Sequence, residues 1–558
     1  MRRVGHDAEF RVAENQSVRD VSGRLRRDFA ALGAANEEWG PGMKTLGTIL
    51  LGSVAGLVLI GAAQAADLPT KKTPIAPPPA NCYASFMSWL DSTAADCPLS
   101  YMGVTVYGAI DMGFGYETHA TPFNGAYPNG VQEEIYKTSN GARWQLVPNG
   151  LTQSNIGVKI KEQIAPNWYI VGDVNAGFDP YSMRFANGPQ SAAENNYTYL
   201  YQQTANGDSS RTWGWDNSRA YIGVNNTTLG TLTFGRQYAF TNDASANYDP
   251  FGGAYAFSLI GTTGTPVAGT GETETARYDT SVKYQVAYNG FRAGGLVQVG
   301  GWQQGNGAQQ AAQVDLGADF YGFSVDAIYA YAQDAVKLAT YGSTTSDTGP
   351  TGVNAAWPTD TLQATLANVD AFVLAGKYKW NALTLFAGYA YDRLSDPSNP
   401  YGATPTGNGD FLSSLNGGFP GVVQKLAYVT PEDLQTLWLG AKYGVLSNLD
   451  VAAGYYFEWQ NNYTNPATKY NTGGTSSALG VGCGPNLNPA APGATPQGSN
   501  AGACAGTTNV VGAMVDWRPV KRVDVYAGLM YSVVAGGMAS GYIQNNNTAF
   551  TAGVKLAF

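Results

Sequence analysis

Charge is scarce in this chain. Only 13% of its 558 residues are Asp, Glu, Lys or Arg, against roughly 25% in ordinary soluble domains. Histidine is rarer still, with His6 and His119 alone, so most His-based catalysis and His-ligated metal sites lack their essential groups. Basic residues are outnumbered, and a net charge of −9 argues against a nucleic-acid partner, since phosphate binding needs a basic surface. Long apolar runs are few, and the mean hydropathy is −0.19. What the chain has in quantity is glycine, 70 residues where about 7% of a chain is usual, together with 35 Tyr, 21 Phe and 12 Trp. That combination points away from a soluble globular enzyme, and the sequence offers no catalytic, cofactor-binding or metal-ligating set.

Residues 1–42 differ from the rest: seven Arg and seven Asp or Glu make one third of them charged. At Met43 the composition changes. Lys44 supplies a positive n-region, residues 46–61 an apolar h-region, and Ala63-Gln64-Ala65 a small-x-small cleavage site, the three parts of a secretory signal peptide. The expectation is a signal peptide at 43–65, a mature chain from near Ala66, and a misassigned start for 1–42. A cytosolic extension ahead of an uncleaved anchor is the alternative. The mature part then has 24 basic and 34 acidic groups, a net charge of −10. Residues 66–102 read as a Pro-rich periplasmic segment, ADLPTKKTPIAPPPA at its start, with a short helix at 83–90. The four cysteines allow three connectivities. Export favours disulfides, and pairing within each irregular segment, Cys82 with Cys97 and Cys483 with Cys504, is expected over free thiols.

From Gly103 the pattern has period two. Val104, Val106, Ile110, Met112, Phe114 and Tyr116 share one face, against Thr105, Tyr107, Asp111 and Glu117 on the other. At the end of the chain Phe550, Ala552, Val554, Leu556 and Phe558 alternate with Thr551, Gly553, Lys555 and Ala557. Alternation of this kind is the strand signal. Sixteen such segments lie near 103–116, 151–164, 167–178, 213–225, 230–240, 275–288, 291–302, 311–321, 322–333, 369–380, 382–392, 434–444, 448–459, 508–518, 521–533 and 547–558. Alternate connections are tight: Ala165-Pro166-Asn167, Asn289-Gly290, Tyr321-Gly322, Asn381, Leu446-Ser447-Asn448 and Pro519-Val520. The others, such as 179–212, 241–274, 393–433 and 460–507, are long and rich in Gly, Asn, Ser and Thr. Short turns on one side and long loops on the other predict an all-β fold, a transmembrane antiparallel β-barrel over 103–558.

Face chemistry agrees. Trp168, Tyr284, Tyr288, Tyr331, Tyr389, Tyr391, Trp459, Trp517 and Phe558 stand at outward positions near segment ends, as the aromatic girdles of such barrels do. Asp173, Arg219, Lys283, Asp315, Asp319, Asp326, Lys442 and Asp524 lie on the opposite faces. A Lys or Arg facing lipid at midplane costs about 2–4 kcal/mol, so these charges belong in a wet lumen. Backbone groups in the bilayer must all be paired, which requires the sheet to close, and sixteen strands leave an aqueous channel. An extracellular all-β adhesin would have no use for an apolar face with aromatic ends.

Something must narrow so wide a pore, and the candidate is the connection 241–274 with Tyr248-Asp249-Pro250-Phe251-Gly252-Gly253. Here the chain resembles the general porins of Gram-negative outer membranes. The likeness rests on SRAYIGVNNTTLGTLTFGRQYAF at 218–240, DPFGG at 249–253, ETARYDTSVKYQVAYNGF at 274–291 and the alternating strand ending in Phe558. It implies a homotrimer of sixteen-stranded barrels, set in outer-membrane lipid and lipopolysaccharide, that passes small hydrophilic solutes and ions. It further implies that the third loop folds inward, and that Phe558 is read by the barrel-assembly machinery. Acidic loop residues, Asp249 and Asp243, would face basic wall residues across the constriction. Arg219 and Arg277 match wall arginines. Parity places both inward, because Ala220, Ile222 and Val224, and likewise Tyr278, Val282 and Tyr284, would face lipid. Arg236 shares the parity of Leu232 and Phe234. Two positions depart from the enterobacterial pattern: Ala109 stands for a lysine and Asn155 for an arginine, with Lys159 and Lys161 as partial substitutes. A thinner basic ladder and an acidic mature chain predict mild cation preference.

Two other functions compete. A substrate-specific channel for sugars or organic acids would use the tyrosine-rich loops. An outer-membrane phospholipase needs a Ser with a positioned His, and only His119, beside Glu117 and Thr118, is available after the signal peptide. A plugged receptor of about twenty-two strands does not fit a chain with no plug ahead of the first strand.

Overall fold

The computed structural model of the protein describes residues 81–120, 141–181, 183, 218–263, 277–299, 310–335, 367–395, 398, 430–463, 505–539 and 544–558. Among them are β1 (Leu99–Tyr101), β2 (Val104–Glu117), β3 (Arg143–Pro148), β4 (Asn155–Ala165), β5 (Trp168–Gly177) and β6 (Arg219–Asn226). Next come β7 (Gly230–Tyr238), β8 (Arg277–Tyr288), β9 (Phe291–Gln298), β10 (Gln310–Phe320), β11 (Phe323–Ala335) and β12 (Ala367–Trp380). The last are β13 (Leu383–Ser395), β14 (Glu432–Leu446), β15 (Leu449–Gln460), β16 (Gly506–Val520), β17 (Val523–Gly536) and β18 (Asn546–Ala557). Three short helices accompany them: α1 (Phe86–Leu90), α2 (Phe240–Tyr248) and α3 (Leu259–Thr263).

Pairing is antiparallel throughout, and β18 pairs with β2, so the sheet closes on itself. β3 and β4 lie end to end along β2, opposite 112–117 and 104–109 respectively. They are two halves of one stave, which makes a barrel of sixteen staves. The expected single strand at 151–164 is therefore corrected: the stave begins at Arg143 and is interrupted. Asp111 holds the interruption, accepting the N–H groups of Leu151 (2.7 Å) and Thr152 (2.9 Å), while Asn149 turns at φ 64°. The other fifteen expected strands are present, displaced by a few residues at their ends. One turn is displaced as well: Pro519 and Val520 end β16, and the reversal falls on Lys521 and Arg522. Positive φ at Asn167, Asn289, Gly290, Tyr321, Gly322 and Asn381 explains why the tight turns sit where they were expected.

Closure is completed by the last residue. Phe558 and Gly108 exchange both backbone hydrogen bonds at 2.9 Å, and the Phe558 ring fills the space that a Cβ on Gly108 would need. Beyond that point β1 folds back onto 104–106 and takes over the free edge of β2.

The outer face is apolar and exposed at Val106, Ile110, Met112, Ile222, Phe234, Leu374, Leu439, Val515 and Val554. Near the turns it carries exposed Trp168, Tyr288, Phe291, Tyr321, Phe323, Trp380 and Trp517. At the loop end two outer rows follow one another across β11–β14. Tyr329, Phe372, Tyr391 and Gln435 are aligned in register, and beyond them Tyr331, Asp370, Arg393 and Asp433. Tyr329 donates to Asp370 (2.7 Å) and Tyr391 to Asp433 (2.6 Å). These outward charges lie one rung past the aromatic row, where water and headgroups replace hydrocarbon.

The segment before the barrel is tied to the turn end. Cys82 and Cys97 form a disulfide, and Arg522, 2% exposed, donates to the carbonyls of Trp89 (2.9 Å), Thr93 (3.0 Å) and Cys97 (2.6 Å). Its guanidinium also stacks 4.2 Å from the Trp89 ring centre. Cys483 and Cys504, the signal peptide expected at 43–65 and residues 1–42 lie outside the described residues.

Candidate functional site

After β7 the chain turns into the lumen instead of out to solvent. α2 carries Asp243 in its first turn, where the helix dipole favours an acid, and the loop then docks on the inner wall of β9–β17. Asp249 is the hub. Its Oδ2 accepts the N–H groups of Phe251 (3.0 Å) and Gly253 (2.9 Å), and its Oδ1 accepts the hydroxyls of Ser258 (2.9 Å) and Tyr456. Gly252 and Gly253 supply the left-handed φ values of 68° and 77° that wrap the backbone around one carboxyl. Burial pushes that carboxyl up to about 6 even though all four hydrogen bonds favour the anion. On either side of this hub, Trp438 Nε1 donates to the Tyr248 carbonyl at 2.9 Å, and the Tyr248 hydroxyl donates to Asp326 at 2.7 Å.

The wall makes room by omitting side chains. Gly440, Gly454 and Gly512 are directly aligned across β14, β15 and β16. A Cβ at Gly454 would lie 2.8 Å from Pro250, and one at Gly528 would lie 2.7 Å from Phe257. At Gly440 it would strike Pro250, and at Gly512 the Phe257 carbonyl. Phe257 meets Tyr526 edge-on at 6.0 Å, and Phe257, Leu259 and Ile260 are fully buried.

Opposite the docked loop, the inner wall of β4–β8 is basic and interleaved with tyrosine. Arg219 Nε faces Asp173 at 2.9 Å and its Nη2 donates to the Tyr107 hydroxyl at 3.1 Å. Tyr107 in turn donates to Asp173 at 2.5 Å, and Lys159 Nζ sits 4.1 Å over its ring. Arg219 and Arg277 stack on Tyr238 at 4.9 and 5.0 Å, and Arg277 also bonds Tyr255 of the loop. Lys283 Nζ reaches Asp243 on α2 at 2.7 Å. A cavity of about 370 Å³ opens against this wall, lined by Lys161, Arg219, Tyr221, Tyr238, Asp243 and Lys283. Asn155 stands opposite Ala109 and accepts from Asn175 at 3.0 Å.

The sequence-derived candidates therefore separate. Arg219, Arg277, Lys159 and Asp243 come together along one side of the lumen. Asp249 does not face the pore; at 2% exposure it holds the loop to the wall, because its four donors all come from the loop and β15. Arg236 is buried at a register break between Gly235 and Gln237. The same break undoes the parity argument for Arg277, since Tyr278 is fully buried and does not face lipid. His119 lies at the rim, its Nδ1 2.7 Å from the Asn546 carbonyl. Tyr107, Tyr238, Trp438, Tyr456 and the glycine row were not singled out by sequence. Their signal, small or aromatic residues in the strands, acquires meaning only once strand register is known, and Tyr238 lies past the break at Gly235.

A closed sheet with an apolar outer band, aromatic borders and a charged lumen narrowed by its own loop defines an outer-membrane β-barrel channel. The chain belongs to the Gram-negative porin family, whose model matches residues 61–411, and so resides in the outer membrane as a multi-pass barrel. An outer-membrane porin of Bordetella pertussis is 26% identical over 192 residues, 34% of this chain and 41% of that relative; the match thus spans less than half of the relative's length. Among solved structures, the anion-selective porin from Comamonas acidovorans aligns with a TM-score of 0.48 at 12% identity, covering 82% of this chain and 99% of that one. Outer-membrane expressed OmpT of Vibrio cholerae aligns with a TM-score of 0.45 at 14% identity, covering 83% and 100%.

Proposed function

We propose that this porin is a passive channel for small hydrophilic solutes and ions, narrowed at the level of α2, assembled as a homotrimer and mildly cation-preferring. The carrying observation is the inward loop pinned through Asp249, which leaves the open lumen between a basic, tyrosine-bearing wall and a more acidic one. On the acidic side the four cations Arg292, Lys442, Arg518 and Lys555 pair with five wall carboxylates, Asp319, Asp326, Asp450, Asp516 and Asp524, so negative charge is in excess there. Counter-ion focusing in a narrow charged passage then favours cations. Arg219, Arg277, Lys159 and Asp243 would set the local field. Phe558 supports recognition by the assembly machinery, and the outer row of Asp370, Arg393 and Asp433 supports contact with lipopolysaccharide headgroups. Residues 43–65 fit an export signal and 1–42 a segment outside the mature protein.

Planar-bilayer recording on refolded protein tests this reading. Conductance steps in threes and a reversal potential of cation-selective sign are expected, and clear anion selectivity overturns the preference. A second reading, a channel specific for sugars or organic acids, is favoured by the tyrosines stacked between Lys159, Arg219 and Arg277. Liposome swelling separates the two: a general pore shows a smooth size cutoff, a specific one saturates.

A further inference from the structure

A second cavity, of about 520 Å³, lies beneath α2 and extends to the β6–β7 turn at Asn226, Thr227 and Gly230. It is distinct from the basic wall in its charge. One cation, Arg292, lines it and is already satisfied, as is Lys283 of the neighbouring cavity. Arg292 is bonded to Asp319, to Asp326 at 2.6 Å and to the Tyr248 hydroxyl at 3.0 Å, while Lys283 is bonded to Asp243 at 2.7 Å and the Tyr238 carbonyl at 2.9 Å.

The acid that remains is Asp315, on the inner face of β10. It lines the cavity, is only 9% exposed, and its Oδ1 has no hydrogen-bond partner among the described residues. The charges that act on it are Asp326 and Asp243, of its own sign, and the already bonded Arg292 and Lys283. A buried carboxyl so placed is costly unless a proton or a cation shares the site. No group of three or more acidic, His or Cys side chains among the described residues is arranged to hold a metal ion. The rest of the lining mixes apolar Ala244, Ala287 and Ile328 with the amides of Asn247 and Gln285.

From the unmatched carboxyl, the saturated cations and the half-apolar lining, we infer that this cavity is a binding subsite for small organic ammonium ions, the charged head at Asp315 and the carbon body against α2 and β11. The inference rests on the lumen being a water-filled channel. It adds to that reading a selective resting place on the turn side of the constriction, so that ammonium solutes would be retarded there while inorganic ions pass.

The probe is n-butylammonium, added to single channels in a bilayer bathed in KCl, with n-butyrate as control. Wild type should show concentration-dependent reduction of open-channel current by n-butylammonium and none by n-butyrate. Asp315→Asn should raise the half-blocking concentration about tenfold, the scale of one lost charge-assisted hydrogen bond. Ala287→Phe, at an exposed lining position, should also raise it by filling the cavity, and it keeps the test alive if the first variant fails to insert. Calorimetric titration of detergent-solubilised wild type should give saturable binding of n-butylammonium. Absence of block and of binding in a channel that conducts KCl overturns the subsite, as does equal block of wild type and both variants, or binding of protons alone at Asp315. A protein that conducts nothing overturns the channel reading instead.

Discussion

Across β4–β8 the inner wall carries long cationic side chains interleaved with tyrosines, whereas across β14–β16 its central row is glycine. The first arrangement leaves the wall facing water, with Lys159, Lys161 and Arg219 projecting from it. The second removes side chains so that Pro250, Phe251 and Phe257 can lie against bare backbone. Burying an apolar side chain of this size is worth about 1.5–3 kcal/mol, and the loop buries several at once. The constriction thus depends as much on what one wall omits as on what the other presents. Asp249 belongs to the omitting side, as a fastener, and the field-forming charges belong to the other.

The largest effect should come from restoring side chains to the bare wall. Gly512→Val would drive a branched Cβ into the Phe257 carbonyl, displacing the loop at a cost of about 3 kcal/mol and raising single-channel conductance. Lys161→Met on the open wall should stay within about 0.5 kcal/mol of wild type. Thermal midpoints in detergent, read beside conductance, decide whether the two walls differ as described.

Acidity probes the same fastener. Because the Asp249 carboxyl holds its proton up to about 6 in the folded protein, its contribution favours folding fully below the ordinary carboxylate range, near 4, and is lost as pH rises through about 6. Wild type should therefore lose stability relative to Asp249→Asn between pH 4 and pH 6, by at most ~3 kcal/mol. Parallel unfolding curves at the two ends of that interval show whether it does.

A smaller loss is expected from Tyr456→Phe, which deletes one donor to Asp249 and leaves the ring in place. About 1–2 kcal/mol of stability should go, with little change in ion selectivity. Smallest of all, Arg219→Gln should leave the fold intact and make the reversal potential more cation-selective in 0.1 M salt. That shift should fade at 1 M, where charges farther apart than about 3 Å are screened.

Much of this molecule was legible in its residues. The strands follow from strict alternation, and their turns from Asn289-Gly290, whose positive φ values few other pairs adopt as readily, and from the glycine of Tyr321-Gly322. Inward Asp173, Arg219 and Lys283 follow from parity alone. The break in the second stave did not, because the Asp111 carboxylate that stabilises it lies about forty residues earlier in the chain. Parity also misled at Tyr278, where a register shift beside Gly235 turns the side chain into the interior. Asp249 was found as a motif residue, yet its place was misjudged: its chemistry is set by Tyr456, more than two hundred residues away.

The barrel was already written into the order of the residues. Period-two alternation, girdle aromatics and sorted loop lengths are local properties, and a bilayer leaves closure as the only way to pair every backbone group. Which charges see the pore and which fasten the loop was settled by the folded arrangement. That depends on which strands stand opposite the loop and in what register, and a one-residue shift in register exchanges a lumen side chain for a buried or lipid-facing one.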